Sequence, residues 1–137
     1  MKLTSVAAVA AVVLALAGAS SSSAGSSTGP TASVENIATV MGAIVTNFEF
    51  RLYDCPAGEE MAVVEWEAEQ PARSGIPVSS GTQPFGPSTG EQVQYLTLTA
   101  GGSFIAGEQW VGSGIVACGA VLIPVSGSGQ TLSQTGV

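Results

Sequence analysis

An antiparallel β-sandwich of about seven short strands is the fold this sequence predicts. Three observations point to it. Charged residues are only 9% of the chain, while glycine and proline number 18 and 7, a balance that suits strands and turns better than helices. Apolar and polar residues alternate with a period of two in several short runs. Clusters of glycine and proline separate those runs.

Residues 1–19 read as an export signal folded as a short helix. Lys2 supplies the positive start, residues 6–17 are an unbroken run of small and apolar side chains, and Ala17, Gly18 and Ala19 are small where a signal peptidase reads. A helix that spans a bilayer needs about 20 apolar residues, more than this run offers. The expectation is a cleaved leader, a secreted product and no membrane span after cleavage. Cleavage is expected after Ala19, with Ala24 as the second candidate. Alanine stands where a lipoprotein would carry its acylated cysteine.

Cleavage leaves about 118 residues, enough for one domain with one core. It also removes Lys2, the one lysine, and leaves Arg51 and Arg73 against ten carboxylates. Nucleic-acid binding needs a basic patch, so that partner class is excluded. An acidic balance of this kind favours solubility. Residues 20–33 are Ser, Gly, Thr, Ala and Pro, with no charge; this composition predicts a flexible linker. Residues 126–137 have the same character and are expected to be a flexible tail. The folded domain is thereby placed at residues 34–125.

Within it, residues 43–53 alternate. Ile44, Thr46, Phe48, Phe50 and Leu52 share one face, as expected of a half-buried strand. Cys55-Pro56-Ala57-Gly58 is turn chemistry. Residues 60–70 alternate again, with Ala62, Val64, Trp66 and Ala68 on an apolar face and Glu65, Glu67 and Glu69 on the other. Glu-Glu-Met-Ala and Glu-Ala-Glu-Gln are also good helix formers, so helix is the rival reading here; the alternation favours strand. Residues 71–90 hold four prolines, and beyond a short strand at 76–80 they are expected to be loop. Residues 92–99 and 109–118 read as strands joined through the turn at 100–103. Residues 120–125 close the domain, and Pro124 places this last strand at an edge.

Cys55 and Cys118 are the only cysteines. In an oxidising compartment such a pair reads as a disulfide; two free thiols are the rival reading. The spacing Cys55…Trp66…Cys118 resembles that of immunoglobulin domains. Val116 stands where those domains carry a corner tyrosine, so the likeness is one of architecture, an immunoglobulin-like sandwich. The chain is also similar to small secreted β-sandwich proteins of actinobacteria. It shares with them the signal peptide, the Cys55-Pro56-Ala57-Gly58 turn, an alternating strand ending at Gln70, and Phe104-Ile105-Ala106-Gly107 before the penultimate strand. That likeness implies a fold and a place outside the cell, and no activity.

The catalytic inventory is short. There is no histidine, so the usual proton shuttle near neutral pH and any Ser-His-Asp triad are missing. Bridged cysteines leave no thiolate. Paired carboxylates remain: Glu65 and Glu67 would stand about 7 Å apart on one strand face, within the range glycosidases use. A solvated strand face is the plainer reading of this ladder. These glutamates with Glu59 could offer carboxylates to calcium, but no Asp-rich loop surrounds them. No catalytic residue, metal or cofactor is therefore expected. The expected function is that of a non-enzymatic binding or cell-envelope module acting through its surface on an extracellular protein or a cell-wall glycan. Trp110, Tyr95, Glu65, Glu67 and Glu69 are the candidate binding residues. The alternative is a secreted inhibitor or small-ligand carrier that uses a loop at 74–90 or a cavity.

Overall fold

Alternation in the sequence becomes strand in the fold. The computed structural model describes residues 29–42, 44–102 and 104–133. Among them it has nine strands and no helix: β1 (Thr31–Val34), β2 (Ile37–Met41), β3 (Val45–Tyr53), β4 (Glu60–Glu69), β5 (Val78–Ser80), β6 (Gln83–Pro87), β7 (Val93–Gly101), β8 (Gln109–Cys118) and β9 (Val121–Ser133). The expected signal peptide, residues 20–28 of the linker and residues 134–137 of the tail lie outside the described residues.

The hydrogen-bonded path runs β3–β2–β9–β8–β4–β5–β7 and returns to β3, so seven strands close into a barrel. β1 lies along the far half of β3, and β6 along the near half of β4. Closure is thin in two places. β5 meets β7 only where Ser80 stands opposite Gly101. β2 meets β3 only from Thr39 opposite Asn47 to Met41 opposite Val45. Elsewhere the strands fall into two well-paired groups, β1–β3–β7 and β9–β8–β4 with β5 and β6.

The first strand pair makes one of these crossings. The Glu35 amide still donates to Glu49 on β3 (2.8 Å), but the Asn36 carbonyl accepts from Gln130 on β9 (3.0 Å). β2 then runs parallel to the end of β9, with Ala38 opposite Thr131. The two chains approach so closely that a Cβ on Gly129 would lie 1.6 Å from the Asn36 carbonyl oxygen, so only glycine fits there.

The core is aromatic and its holes are glycines. The ring of Trp66 meets Phe48 at 5.1 Å, Phe50 at 5.0 Å and Trp110 at 6.0 Å between centroids, all edge-on, the geometry that ring quadrupoles favour. A Cβ on Gly112 would lie 2.8 Å from Trp66. The indole fills the volume that this glycine leaves empty. Cys55 and Cys118 are bridged, with their Cα atoms 5.9 Å apart, and both are buried.

Several sequence expectations are corrected. The count is nine strands instead of about seven. Residues 126–133, expected as tail, continue β9: they pair with β8 through Gln130 and with β2 from Gln130 onward. Residues 31–33, expected as linker, belong to β1. Both stretches are Ser/Gly-rich, and composition alone hid their role: their backbones complete the ladders while their small side chains admit close neighbours. Within the 74–90 segment, residues 78–80 and 83–87 are not loop: they form β5 and β6, both hydrogen-bonded along β4.

The strand reading of residues 60–70 holds, but its apolar face is different. A bulge between Val63 and Glu65 in the pairing with β8 resets the alternation. Met61 and Val63 are buried before it, Trp66 and Ala68 after it, and Val64 is exposed. In β3, Thr46, Phe48, Phe50 and Leu52 point inward as expected, whereas Ile44 precedes the strand and is exposed. Pro124 does sit on an edge: at that point β9 has β8 beside it and no strand on the other side among the described residues.

Candidate functional site: an acidic strand face

The β4 bulge determines which way the glutamates point. After the extra residue Val64, the side chains of Glu65, Glu67 and Glu69 all stand on the outer, solvated face, while Trp66 and Ala68 fill the core. The ladder that the alternation predicted is therefore brought together on one strand.

Cross-strand register supplies its neighbours. Glu65 stands opposite Ile115, Glu67 opposite Ser113 and Glu69 opposite Val111 on β8. The rows continue on β9 with Pro124, Ser126 and Ser128. On the other side of β4, Ser80 stands opposite Glu67 and Val78 opposite Glu69. Two shallow grooves follow this surface. One, of about 390 Å³, lies between Glu65, Ser113, Ile115, Pro124 and Ser126. The other, of about 370 Å³, lies between Glu67, Glu69, Val111 and Ser113.

The ion pairs among the described residues lie elsewhere, Arg51 with Glu35 and Arg73 with Glu108. The three carboxylates are thus neighboured by hydroxyls and short alkyl groups. They project side by side from one strand and do not face one another across a cleft. Acid–base catalysis at a glycosidic bond needs two carboxyl groups that flank the bond; this row instead makes a strip of negative potential over a floor of small side chains. Among the described residues no group of three or more Asp, Glu, Cys or His side chains is placed to hold a metal ion.

Tyr95 lies on a different strand pair. It is 61% exposed on β7, opposite Arg51 of β3, whose guanidinium sits 5.6 Å from the ring centroid. Hydrogen bonding with the Tyr53 side chain raises the Arg51 pKa above its ordinary value; desolvation opposes it, and the charge of Glu35 adds a smaller upward push. Trp110 is corrected outright: it is 0% exposed, and its indole N–H donates to the Gln130 carbonyl (3.1 Å). The proximity of a turn suggested exposure, but its inward parity on β8 puts it in the core.

Sequence reasoning missed Ser113, Ser126 and Ser128. A signal for them exists. Gly112-Ser113-Gly114 and Ser126-Gly127-Ser128-Gly129 alternate with a period of two, glycine inward and serine outward. Low hydrophobicity concealed this as a flexible sequence. Comparison with models of known protein families and with curated proteins finds no match to this chain.

Proposed function

We propose that this chain is an exported, non-enzymatic module that binds an extracellular protein or a cell-wall glycan through the outer face of β4, β8 and β9. The observation that carries the reading is the row Glu65, Glu67 and Glu69, aimed at solvent over Ser113, Ser126 and Ser128, with none of the three in an ion pair among the described residues. Clustered charge of one sign steers and selects a partner of the other, and a floor of serine and glycine lets that partner approach closely. The partner class is one bearing exposed ammonium or guanidinium groups.

Export is supported by the bridge, because disulfides persist in oxidising compartments. No helix of the described residues is long and apolar enough to cross a membrane. The immunoglobulin-like reading of the architecture belongs here too. The bridge links the turn after β3 to the end of β8, and Trp66 lies on the intervening strand β4; immunoglobulin domains link their B and F strands around a tryptophan on strand C in the same order. The likeness to secreted actinobacterial sandwich proteins is proposed on the same footing.

The test is retention of the purified protein on isolated cell wall and on immobilised extracellular proteins. Retention should fall at least tenfold in the triple variant Glu65→Gln, Glu67→Gln, Glu69→Gln, and also as salt rises from 20 to about 500 mM, where screening shortens the reach of charge. Equal retention by the triple variant, with an unchanged circular dichroism spectrum, would overturn the reading.

A further inference from the structure

The crossover between β1 and β2 leaves a groove in the outer face of β3. Glu35 still reaches β3, its amide donating to the Glu49 carbonyl (2.8 Å), and β2 rejoins β3 only at Thr39 opposite Asn47. Between these points the Asn36 carbonyl is held by Gln130, and β2 follows β9 from Ile37 onward. The gap is a groove of about 250 Å³ over Phe48. Glu35, Ile37 and Thr39 wall it on one side of β3, and Thr97 of β7 walls it on the other. Asn47 and Glu49 stand along its length. The close approach at Gly129 fixes the crossover, so the groove belongs to the fold and needs no ligand to form it. A site shaped in advance spends less binding energy on ordering.

The polar groups in and beside the groove are of both kinds. Asn47 is held by Thr99, whose hydroxyl donates to the Asn47 side-chain oxygen (2.9 Å). Arg51 is next on the same face, and its pairing with Glu35 fixes a guanidinium at the rim. Glu49 is exposed and forms no ion pair among the described residues. The ring of Tyr95 completes the surface. It stands opposite Arg51 and two residues along β7 from Thr97, about 7 Å by strand rise. The β4 face is different in kind, with carboxylates over serines and no aromatic ring. Here carboxylate, guanidinium, amide and threonine hydroxyls share one patch with a tyrosine. A few placed polar groups beside an aromatic ring are how proteins orient small ligands.

We propose that this face binds a neutral polysaccharide, with one pyranose unit seated in the groove and the next lying against Tyr95. This goes beyond the acidic-ladder reading and does not rest on it. A pyranose fits on three counts. Its neighbouring hydroxyls both donate and accept, so Glu49 accepts from them while Arg51 donates; hydrogen bonds to charged groups are the stronger kind. Its C–H face is apolar and lies flat against an aromatic ring, and Tyr95 is 61% exposed. Its size matches a groove smaller than the roughly 300–1,000 Å³ of drug-sized sites, which takes one small ring and lets the chain run out over β7. Charge narrows the class. Ten carboxylates against two cations outside the leader repel uronic acids, sulfated sugars and phosphates. Arg51 at the rim repels a cationic ligand.

The experiment is a heteronuclear NMR titration of the purified protein with neutral hexasaccharides of N-acetylglucosamine, glucose, mannose and xylose. At least one should bind with a dissociation constant of about 1 mM or tighter, with the largest shifts at the amides of Glu49, Tyr95 and Thr97. Tyr95→Ala and Glu49→Gln, both at exposed positions, should each weaken that binding about tenfold, while Tyr95→Phe, which keeps the ring, should hold it within about twofold. The triple glutamine variant of the β4 ladder should bind the saccharide as the parent does. Added salt should leave the affinity unchanged, because a neutral ligand is not screened. These two arms separate failure of this site from failure of the ladder. If no hexasaccharide shifts the three amides, the proposal is overturned. It is overturned equally by binding that Tyr95→Ala and Glu49→Gln both leave intact, or by binding lost in the ladder variant. Tetralysine shifting the same amides at a lower concentration than any hexasaccharide would make this face a second contact for cations and sink the glycan reading.

Discussion

The two ends of the barrel are built by different chemistry around a similar device. At the end where β3 hands over to β4, Ser88 is the hub. Its hydroxyl donates to the Cys55 carbonyl (2.8 Å) and accepts from the Gln94 amide (2.5 Å) and the Gly90 backbone (3.0 Å). The disulfide lies directly behind it. At the other end of β4, about 30 Å away by strand rise, Gln70 is the hub. Its amide accepts from the Ile105 N–H and donates to the Ile105 carbonyl, both at 2.9 Å, and donates to the Thr131 hydroxyl at 3.2 Å. Gln70 and Thr131 are fully buried. One end is held by a covalent bond and hydrogen bonds together, the other by hydrogen bonds and the part-exposed Arg73–Glu108 ion pair, with no covalent link. The first constraint acts also on the unfolded chain; the second exists only in the native state.

The largest break in that comparison is loss of the bridge. Cys55 and Cys118 close a loop of 63 residues, for which chain entropy gives about 4 kcal/mol. The double variant Cys55→Ala, Cys118→Ala should lower the unfolding free energy by the corresponding amount and steepen the urea slope, because the unfolded chain is less compact without the link. An unfolding free energy unchanged within error would mean that the covalent link adds nothing to its end of the barrel.

Gln70→Ala comes next. It strands the Ile105 N–H and carbonyl together with the Thr131 hydroxyl away from water, at a cost of about 3 kcal/mol. The effect should also be local. Hydrogen exchange of Ile105, Gly107 and Thr131 should accelerate, while amides beside Cys55 and Ser88 keep their protection. Uniform acceleration along the whole chain would show that the two ends are one cooperative unit.

How much of this was legible in the sequence follows the same division. The bridge was readable because two cysteines admit one pairing. The inward face of β3 was readable because Thr46, Phe48, Phe50 and Leu52 recur with the strand period. Gln70 was not, since a glutamine at the end of an amphipathic run looks like any solvated polar residue; its burial depends on a loop 35 residues later. The Val63–Glu65 bulge was invisible for a related reason. One extra residue leaves local alternation intact on either side and changes only which parity is the core. The Ser/Gly stretches at 31–33 and 126–133 were misread because composition reports hydrophobic burial and is silent about backbone pairing. The glutamate ladder was seen, but its serine floor was not.

Gly112 lies between the ends and tests whether they share a core. Gly112→Ala would place a methyl 2.8 Å from the Trp66 ring and 2.9 Å from the Ala68 side chain. Overpacking of that kind costs about 2 kcal/mol. Because Trp66 touches Phe48, Phe50 and Trp110, the strain should reach both hubs. The expected signature is a shifted tryptophan fluorescence spectrum and equal loss of exchange protection at Ile105 and at Ser88. Loss confined to one end would place the division of the molecule in the core itself.

The smallest effect separates the ends most sharply, because it is a difference of differences. Ser88 bonds the carbonyl of a bridged cysteine, so removing the bridge should relax the backbone that Ser88→Ala leaves unpaired. The two changes should then cost less together than apart, by about 1 kcal/mol in a double-mutant cycle. Gln70 shares no partner with the bridge and lies at the far end of β4. Gln70→Ala and bridge removal should add to within about 0.5 kcal/mol. Both cycles come from urea unfolding free energies of the same six proteins: the parent, the bridge-less chain, and each hub variant with and without the bridge. If the Gln70 cycle coupled as strongly as the Ser88 cycle, local contact could not be the cause. Coupling would then have to run through the aromatic core that both ends enclose.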